Sequence, residues 1–375
     1  MSEDDAVIHF WEKIIDQALH NKASDIHIEP EQGISHVRLR VDGHLSHLTS
    51  SPSPWHERIA SRIKILARLD ISEKRLPQDG QMVVSATNQS QRIDCRISTL
   101  PTLHGEKIVV RLLNKTEDDL DVECIGLQQT QLVQLKEALN KPQGFILVTG
   151  PTGSGKTQTL YSCLKYLLDG SRNIISIEDP IEIQLKGIQQ VQVNEKSGLR
   201  FDVALRAIMR QDPDVIMVGE IRDSETAKIA FQAAETGHLV LSTLHANDAP
   251  SALSRLKQLQ IDSHHMANNL LCITAQRLIR LICHYCGGQS QTLRGSTTEP
   301  FECSHCHNSG FKGRTAVHQV MPLSTELRVL IENQASLSSI KKQCHLEGIA
   351  NLKESAQVLL ERGITTTHEI ERQIA

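Results

Sequence analysis

The sequence predicts an α/β chain made of two folds in succession: a smaller α+β segment, then a parallel sheet covered by helices on both faces. Three observations carry this reading. Up to residue 113, strand candidates alternate apolar and polar residues, as half-buried strands do. From residue 127 they become continuous apolar runs separated by helical stretches, the mark of parallel strands buried on both sides. Finally, Cys283, Cys286, Cys303 and Cys306 form two Cys-x-x-Cys pairs, which read as a metal-binding insertion.

The elements follow in order. Val7, Ile8, Trp11, Ile14, Ile15, Ala18 and Leu19 recur at helical spacing. DIHIEP and HVRLRVDG read as two strands, and SPSPWHERIASRIKILARL as an amphipathic helix entered through prolines. QMVVSAT, RIDCRISTL and KIVVRLL close a domain over residues 1–113. The acidic, unpatterned NKTEDDLDVECIG (114–126) is the expected linker. GFILVTG, NIISIED, DVIMVGE and HLVLSTLH are the buried strands of a second domain, 127–282, with RFDVALRAIMR and SETAKIAFQAAE as helices between them. The knuckle occupies 283–306. LSTELRVLIENQ and IANLKESAQVLLERG place a helical subdomain at 307–375.

Composition narrows the function. At 375 residues the chain suits two or three domains. A formal charge of −4 disfavours a protein that coats nucleic acid, and aromatics at 3% disfavour base-stacking platforms. MSEDDAVIHFWEK is acidic where a signal peptide is basic, and no apolar run approaches the roughly 18 residues that span a bilayer. The expected location is cytoplasmic. In a reducing compartment the paired cysteines mean metal, whereas Cys95, Cys124, Cys163, Cys272 and Cys344 read as small core residues. Most of the 18 histidines read as solvated surface.

The chemistry concentrates on one strand–helix junction. Gly150, Pro151, Thr152, Gly153, Ser154, Gly155, Lys156 and Thr157 fit G-x-x-x-x-G-K-[ST]. Such glycines let backbone N–H groups and a helix N-terminus converge on phosphates. Lys156 would neutralise the β- and γ-phosphates of ATP, and Thr157 would hold Mg²⁺. DVIMVGEIRD delivers Glu220 to the carboxyl edge of the sheet, and SIEDP delivers Glu178 and Asp179 to the same edge. An acid at a strand end is usually a solvated charge or a helix cap. Two on the edge that carries the phosphate loop favour chemistry. His238 and His245 flank LVLSTL, and one near a γ-phosphate would report hydrolysis through its hydrogen bonds. The plain reading of each is a structural histidine.

Beyond these motifs, SDIHIEP, RLRVDG, EKRLPQDGQM, RISTLPTLHGEKIVVRLL, GFILVTGPTGSGKT, IEDPIEI, LRAIMRQDPDVIMVGEIRDSETA and TGHLVLSTLHAND resemble the successive blocks of the type II secretion and type IV pilus-assembly ATPases. The resemblance runs from about residue 24 to the C-terminus. It implies a homohexameric ring of subunits, each with a PAS-like N-terminal α+β domain joined flexibly to a RecA-like P-loop ATPase domain. It makes Gly150–Thr157 the Walker A loop, Glu220 the Walker B glutamate and Glu178 the base that activates water. It places His238 and His245 in the histidine box, and Arg96, Arg111, Arg206 and Arg210 among the arginines that reach the nucleotide or the ring interface. Arginines there would stabilise charge growing on the phosphoryl oxygens.

The resemblance also makes the tetracysteine knuckle a closed structural Zn²⁺ site of assembly and secretion motors, which retraction motors generally lack. His284, His305 or His307 replacing a cysteine is the alternative ligand set. The implied partner is an inner-membrane platform protein, which would bring the motor to the membrane periphery, and no nucleic acid is expected. Two departures stand out: the extra N-terminal docking domain of many relatives is not expected here, and Gln158 stands where relatives carry a small hydroxyl residue. Competing readings are a non-hydrolysing nucleotide-gated scaffold, a retraction motor and, last, a nucleic-acid motor.

Overall fold

The computed structural model describes residues 3–85, 92–113, 117–289 and 302–374. The chain divides into two compact units, Met1–Thr116 and Glu117–Ala375.

In the first unit the elements are α1 (Glu3–His20), β1 (Asp25–Glu31), β2 (Ile34–Val41), β3 (His44–Pro52), α2 (Ser53–Leu66), β4 (Gln78–Ser85), β5 (Arg92–Thr102) and β6 (Gly105–Leu112). The strands form an antiparallel sheet in the order β3-β2-β1-β6-β5-β4. The period-2 pattern puts Ile26, Ile28, Val37, Leu39, Ile97, Ile108 and Val110 on one face, where Trp11, Ile14 and Ile15 of α1 and Ile59 and Ile63 of α2 cover them. β3 is a strand the sequence reading lacked. It lies at the sheet edge, and of its Ser, Thr and His residues all but Ser51 are exposed or half-buried, so burial imposes little pattern on it. The last two residues of QMVVSAT lie outside the described residues.

The second unit contains α3 (Gln129–Leu139), β7 (Gly144–Thr149), α4 (Lys156–Leu167), β8 (Ile174–Glu178), β9 (Gln189–Gln192), α5 (Phe201–Ile208), β10 (Val215–Val218), α6 (Ser224–Glu235), β11 (Leu239–Leu244), α7 (Ala249–Gln258), α8 (Ser263–Asn269), β12 (Leu270–Ile282), β13 (Phe311–Pro322), α9 (Thr325–Glu332), α10 (Leu337–Leu346), α11 (Leu352–Glu361) and α12 (Thr367–Gln373). Its sheet runs β13-β12-β7-β11-β10-β8-β9, parallel throughout except for β13. β7, β8, β10 and β11 are buried along their whole length. Phe145 and Leu147 enter the core on one face, Ile146 and Val148 the core on the other. The fold is thus a mixed-sheet α/β fold, and the parallel strands deliver their carboxyl ends to one edge.

Two boundaries need correction. The expected helical subdomain from residue 307 opens instead with β13, which pairs antiparallel with β12 across the cysteine pairs. Both strands bury polar residues (Gln276, Arg280, His318, Gln319), which interrupt the apolar run that marked the other strands. Of the expected linker 114–126, residues 114–116 lie outside the described residues, but Leu120, Val122 and Ile125 are buried in the core of the second unit. Cys124, expected as a small core residue, is instead exposed, whereas Cys95, Cys163, Cys272 and Cys344 are buried.

Candidate nucleotide site

The phosphate loop joins β7 to α4. Gly150 takes φ 151°, and a Cβ there would stand 2.5 Å from Ser154 Oγ and 2.6 Å from the Gln276 carbonyl oxygen. Gly155, at φ 90°, turns the chain into α4. Lys156 Nζ donates to the carbonyls of Gly150 (2.9 Å) and Pro151 (3.1 Å). Burial, reinforced by nearby Arg277 and opposed by Glu220, holds the Lys156 ammonium below its ordinary pKa. Ser154 Oγ is buried with no hydrogen-bond partner. A glycine loop at a helix N-terminus with a half-desolvated ammonium and an unpaired hydroxyl fits a polyphosphate. Thr157, the residue expected to hold Mg²⁺, lies in the first turn of α4, and Gln158 follows it in the same turn.

His245 leaves β11 at this same edge. Burial first, then the Lys156 charge, lowers its pKa, while Glu220 and a hydrogen bond with the Gly150 backbone act in the opposite sense. Glu220, just past β10, accepts a hydrogen bond from Arg222, whose Nη1 also lies 3.6 Å from Asp179. Glu220 and Asp179 are thereby joined through one guanidinium at the mouth of the site.

Glu178, expected to activate water, is enclosed by side chains of three elements. It is 3% exposed, and its carboxylate accepts from the Tyr161 hydroxyl, from Ser176 Oγ (2.6 Å) and from Gln190 Nε2 (3.0 Å). Three donors occupy three of the roughly four acceptor sites of this buried carboxylate, which is the setting of a structural link. The carboxylate joins α4, β8 and β9. His238 is also set apart: it precedes β11, so the strand Leu239–Leu244 separates it from His245 by about 23 Å at some 3.3 Å per residue. Its Nδ1 contacts the Ala233 carbonyl at 2.8 Å, ending α6.

Among the arginines, Arg96 and Arg111 are register partners on β5 and β6 of the first unit, with Arg111 Nε 2.9 Å from Asp25. Arg206, exposed on α5, pairs with Glu225 at 3.1 Å, and Arg210, exposed just past the end of α5, donates to the Arg206 carbonyl. The sequence reading missed Gln276 and Arg277, which β12 carries past the end of β7. Arg277 donates to the carbonyls of Gln276 (3.1 Å) and Asn247 (2.9 Å). No local motif marks them. Only the pairing of β12 with β7 brings them to the loop.

At the far end of β12, the thiols of Cys283, Cys286, Cys303 and Cys306 are buried, with all four sulfurs within 4.8 Å of one another. Sγ separations of 4.0 Å (Cys283–Cys303) and 3.7 Å (Cys286–Cys306) are far too long for disulfides. They match the edges of a tetrahedron with metal–sulfur bonds of about 2.3 Å. His305 stacks on Tyr285, with ring centroids 3.5 Å apart, and stands outside this ligand set. The middle of the expected knuckle, 290–301, lies outside the described residues.

Residues 1–372 match the family described as Type II/IV secretion system protein. The chain is 43% identical over 366 residues to the "Type II secretion system protein HxcR" of Pseudomonas aeruginosa, covering 98% of this chain and 77% of that protein. It is 41% identical over 388 residues to the "Type IV pilus assembly ATPase PilB" of Acinetobacter baylyi, covering 99% and 67%. Among solved structures, the pilus retraction motor PilT with bound ADP superposes with a TM-score of 0.64 at 26% identity, covering 96% of each chain. The Legionella pneumophila ATPase DotB shares the fold, with a TM-score of 0.74 at 20% identity, covering 97% and 94%.

Proposed function

As the chain belongs to the Type II/IV secretion system protein family, we propose that it is an ATP-hydrolysing motor for secretion or pilus assembly. The observation that carries this is one sheet edge that gathers the glycine loop, Lys156, Glu220 and His245. The backbone N–H groups of residues 150–157 would bind the phosphates and Lys156 would neutralise charge on the transferred phosphoryl group. Thr157 would hold Mg²⁺, which supplies charge neutralisation between β- and γ-oxygens. Glu220, steered by Arg222, is the acid open to the site, and His245 would sense the γ-phosphate through its hydrogen bonds.

The ring is supported by the family and by the arginines. Arg96 and Arg111 would close on the nucleotide from the N-terminal domain, and Arg206 and Arg210 from the surface of the ATPase domain. Their domain swing would turn an inner-membrane platform protein and add pilin or pseudopilin subunits. The cysteines would hold Zn²⁺ as a structural clip. The described residues contain no helix long and apolar enough to cross a membrane, so attachment to the inner membrane from the cytoplasm would go through partners. The likeness to PilT supports a retraction motor as the second reading. The tetracysteine cluster and the relatives named for secretion and assembly favour the first.

The test is phosphate release and particle mass against protein concentration, for wild type, Lys156→Ala and Arg96→Ala. Activity per subunit that rises as rings form, with Lys156→Ala silent and Arg96→Ala assembled but slow, is the expected outcome. Wild-type rings that bind ATP and release no phosphate would move the nucleotide-gated scaffold ahead.

A further inference from the structure

We propose that Gln276 is a positioning residue for the phosphate loop, clamping it from the neighbouring strand so that its N–H groups face the nucleotide. The inference rests on the reading of residues 150–157 as a nucleotide site. β12 stays in register with β7 as far as Ala275 opposite Thr149. The next residue, Gln276, therefore stands where β7 gives way to the loop. It is 1% exposed. Its Nε2 donates to the Ser154 carbonyl at 2.7 Å, and its Oε1 accepts from the Thr159 hydroxyl of α4 at 2.9 Å. The amide orientation is fixed, because a carbonyl can only accept.

The consequence follows from peptide planarity. The Ser154 C=O and the Gly155 N–H belong to one rigid plane and point in opposite directions. Holding that carbonyl against β12 aims the Gly155 N–H away from β12, into the concavity of the loop. The second bond ties the same amide to the first turns of α4, so loop and helix N-terminus are held together. Gln276 also sets the space that two loop glycines must respect. Its carbonyl oxygen is 2.6 Å from where a Cβ on Gly150 would lie, and its Nε2 is 3.2 Å from one on Gly155.

The experiment measures the Kd for a fluorescent ADP analogue, well below the melting temperature, for wild type, Gln276→Leu, Gln276→Glu, Thr159→Val and Gln131→Leu in the full chain. Gln131 is the control: it is also buried in the same unit, and its Nε2 donates to the His318 carbonyl and Ser355 Oγ, away from the loop. Loss of a buried hydrogen bond that orders the site should raise the Kd about tenfold in Gln276→Leu. Thr159→Val should show a smaller rise, and Gln131→Leu none.

Gln276→Glu adds a pH signature. Protonated, its carboxyl can donate to the Ser154 carbonyl and bind like wild type. Ionised, it sets a carboxylate against that carbonyl, so its Kd should rise with pH relative to wild type. A Gln276→Leu protein that folds with wild-type Kd would overturn the proposal. If that variant does not fold, unchanged affinity in both Thr159→Val and Gln276→Glu at every pH would do the same. A wild-type chain that binds no ADP would instead remove the nucleotide-site reading, and the clamp with it.

Discussion

The Tyr161 hydroxyl donates a hydrogen bond to the Glu178 carboxylate, joining α4 to the end of β8. Burial and the adjacent carboxylate raise the pKa of the tyrosine, so the proton stays on its oxygen. Two acids that look alike in the sequence, Glu178 and Glu220, therefore sit in different surroundings, and substitutions at them should behave differently. Glu178→Gln would set an amide NH₂ among three donors and should cost about 2 kcal/mol of stability. Its kcat should fall less than about tenfold at temperatures where it is folded. Glu220→Gln should leave the melting temperature unchanged and lower kcat by about a hundredfold or more. Parallel melting curves and turnover measurements distinguish them.

The first unit contains a buried ion pair, Lys64 to Glu106 at 2.6 Å, with side chains only 1% and 6% exposed. Lys64 also donates to the Glu73 carbonyl, which pins the segment after α2. Lys64→Met would strand a carboxylate in the core and should cost about 3–5 kcal/mol. Adding Glu106→Gln should restore part of that. Urea titrations of the two variants and the double variant measure the coupling.

His318 should make the second unit acid-sensitive. Burial drives its pKa down to about 4, and its neutral ring bonds the Ile125 carbonyl at 2.8 Å through Nε2. In the unfolded chain the pKa returns to about 6.5, so between these values the unfolded state binds the extra proton. The contribution of His318 is therefore complete above about pH 6.5 and is lost as pH falls towards 4. Its slope approaches about 1.4 kcal/mol per pH unit. His318→Gln keeps a donor for Ile125 and should show a shallower loss of urea resistance between pH 7 and pH 5.

The tetracysteine cluster should bind about one zinc per chain, and Cys303→Ser should lose most of it. A closed four-thiolate site leaves no position for a substrate. Chelation should therefore speed hydrogen exchange in residues 283–289 and 302–311 and change turnover by less than about twofold. Metal analysis, exchange and turnover on one preparation test all three.

The glycine loop and the four clustered cysteines were legible in the sequence because each is a local motif whose spacing is itself the chemistry; the placing of Glu220 and His245 at the loop's edge followed from the buried strands that precede them. The buried parallel strands were legible for a similar reason: burial on both faces leaves a run that no loop imitates. The roles of Glu178, His238, Gln276 and Arg277 depended on the tertiary structure. A buried carboxylate is a structural group or a base according to the donors around it, and those donors come from residues 161, 176 and 190 on three elements. His238 and His245 are neighbours in sequence, yet an extended strand puts them at opposite ends of the sheet. Gln276 reaches the loop only because β12 pairs with β7, so a contact spanning residues 154 to 276 is a property of the strand order and leaves no mark in the sequence around either residue.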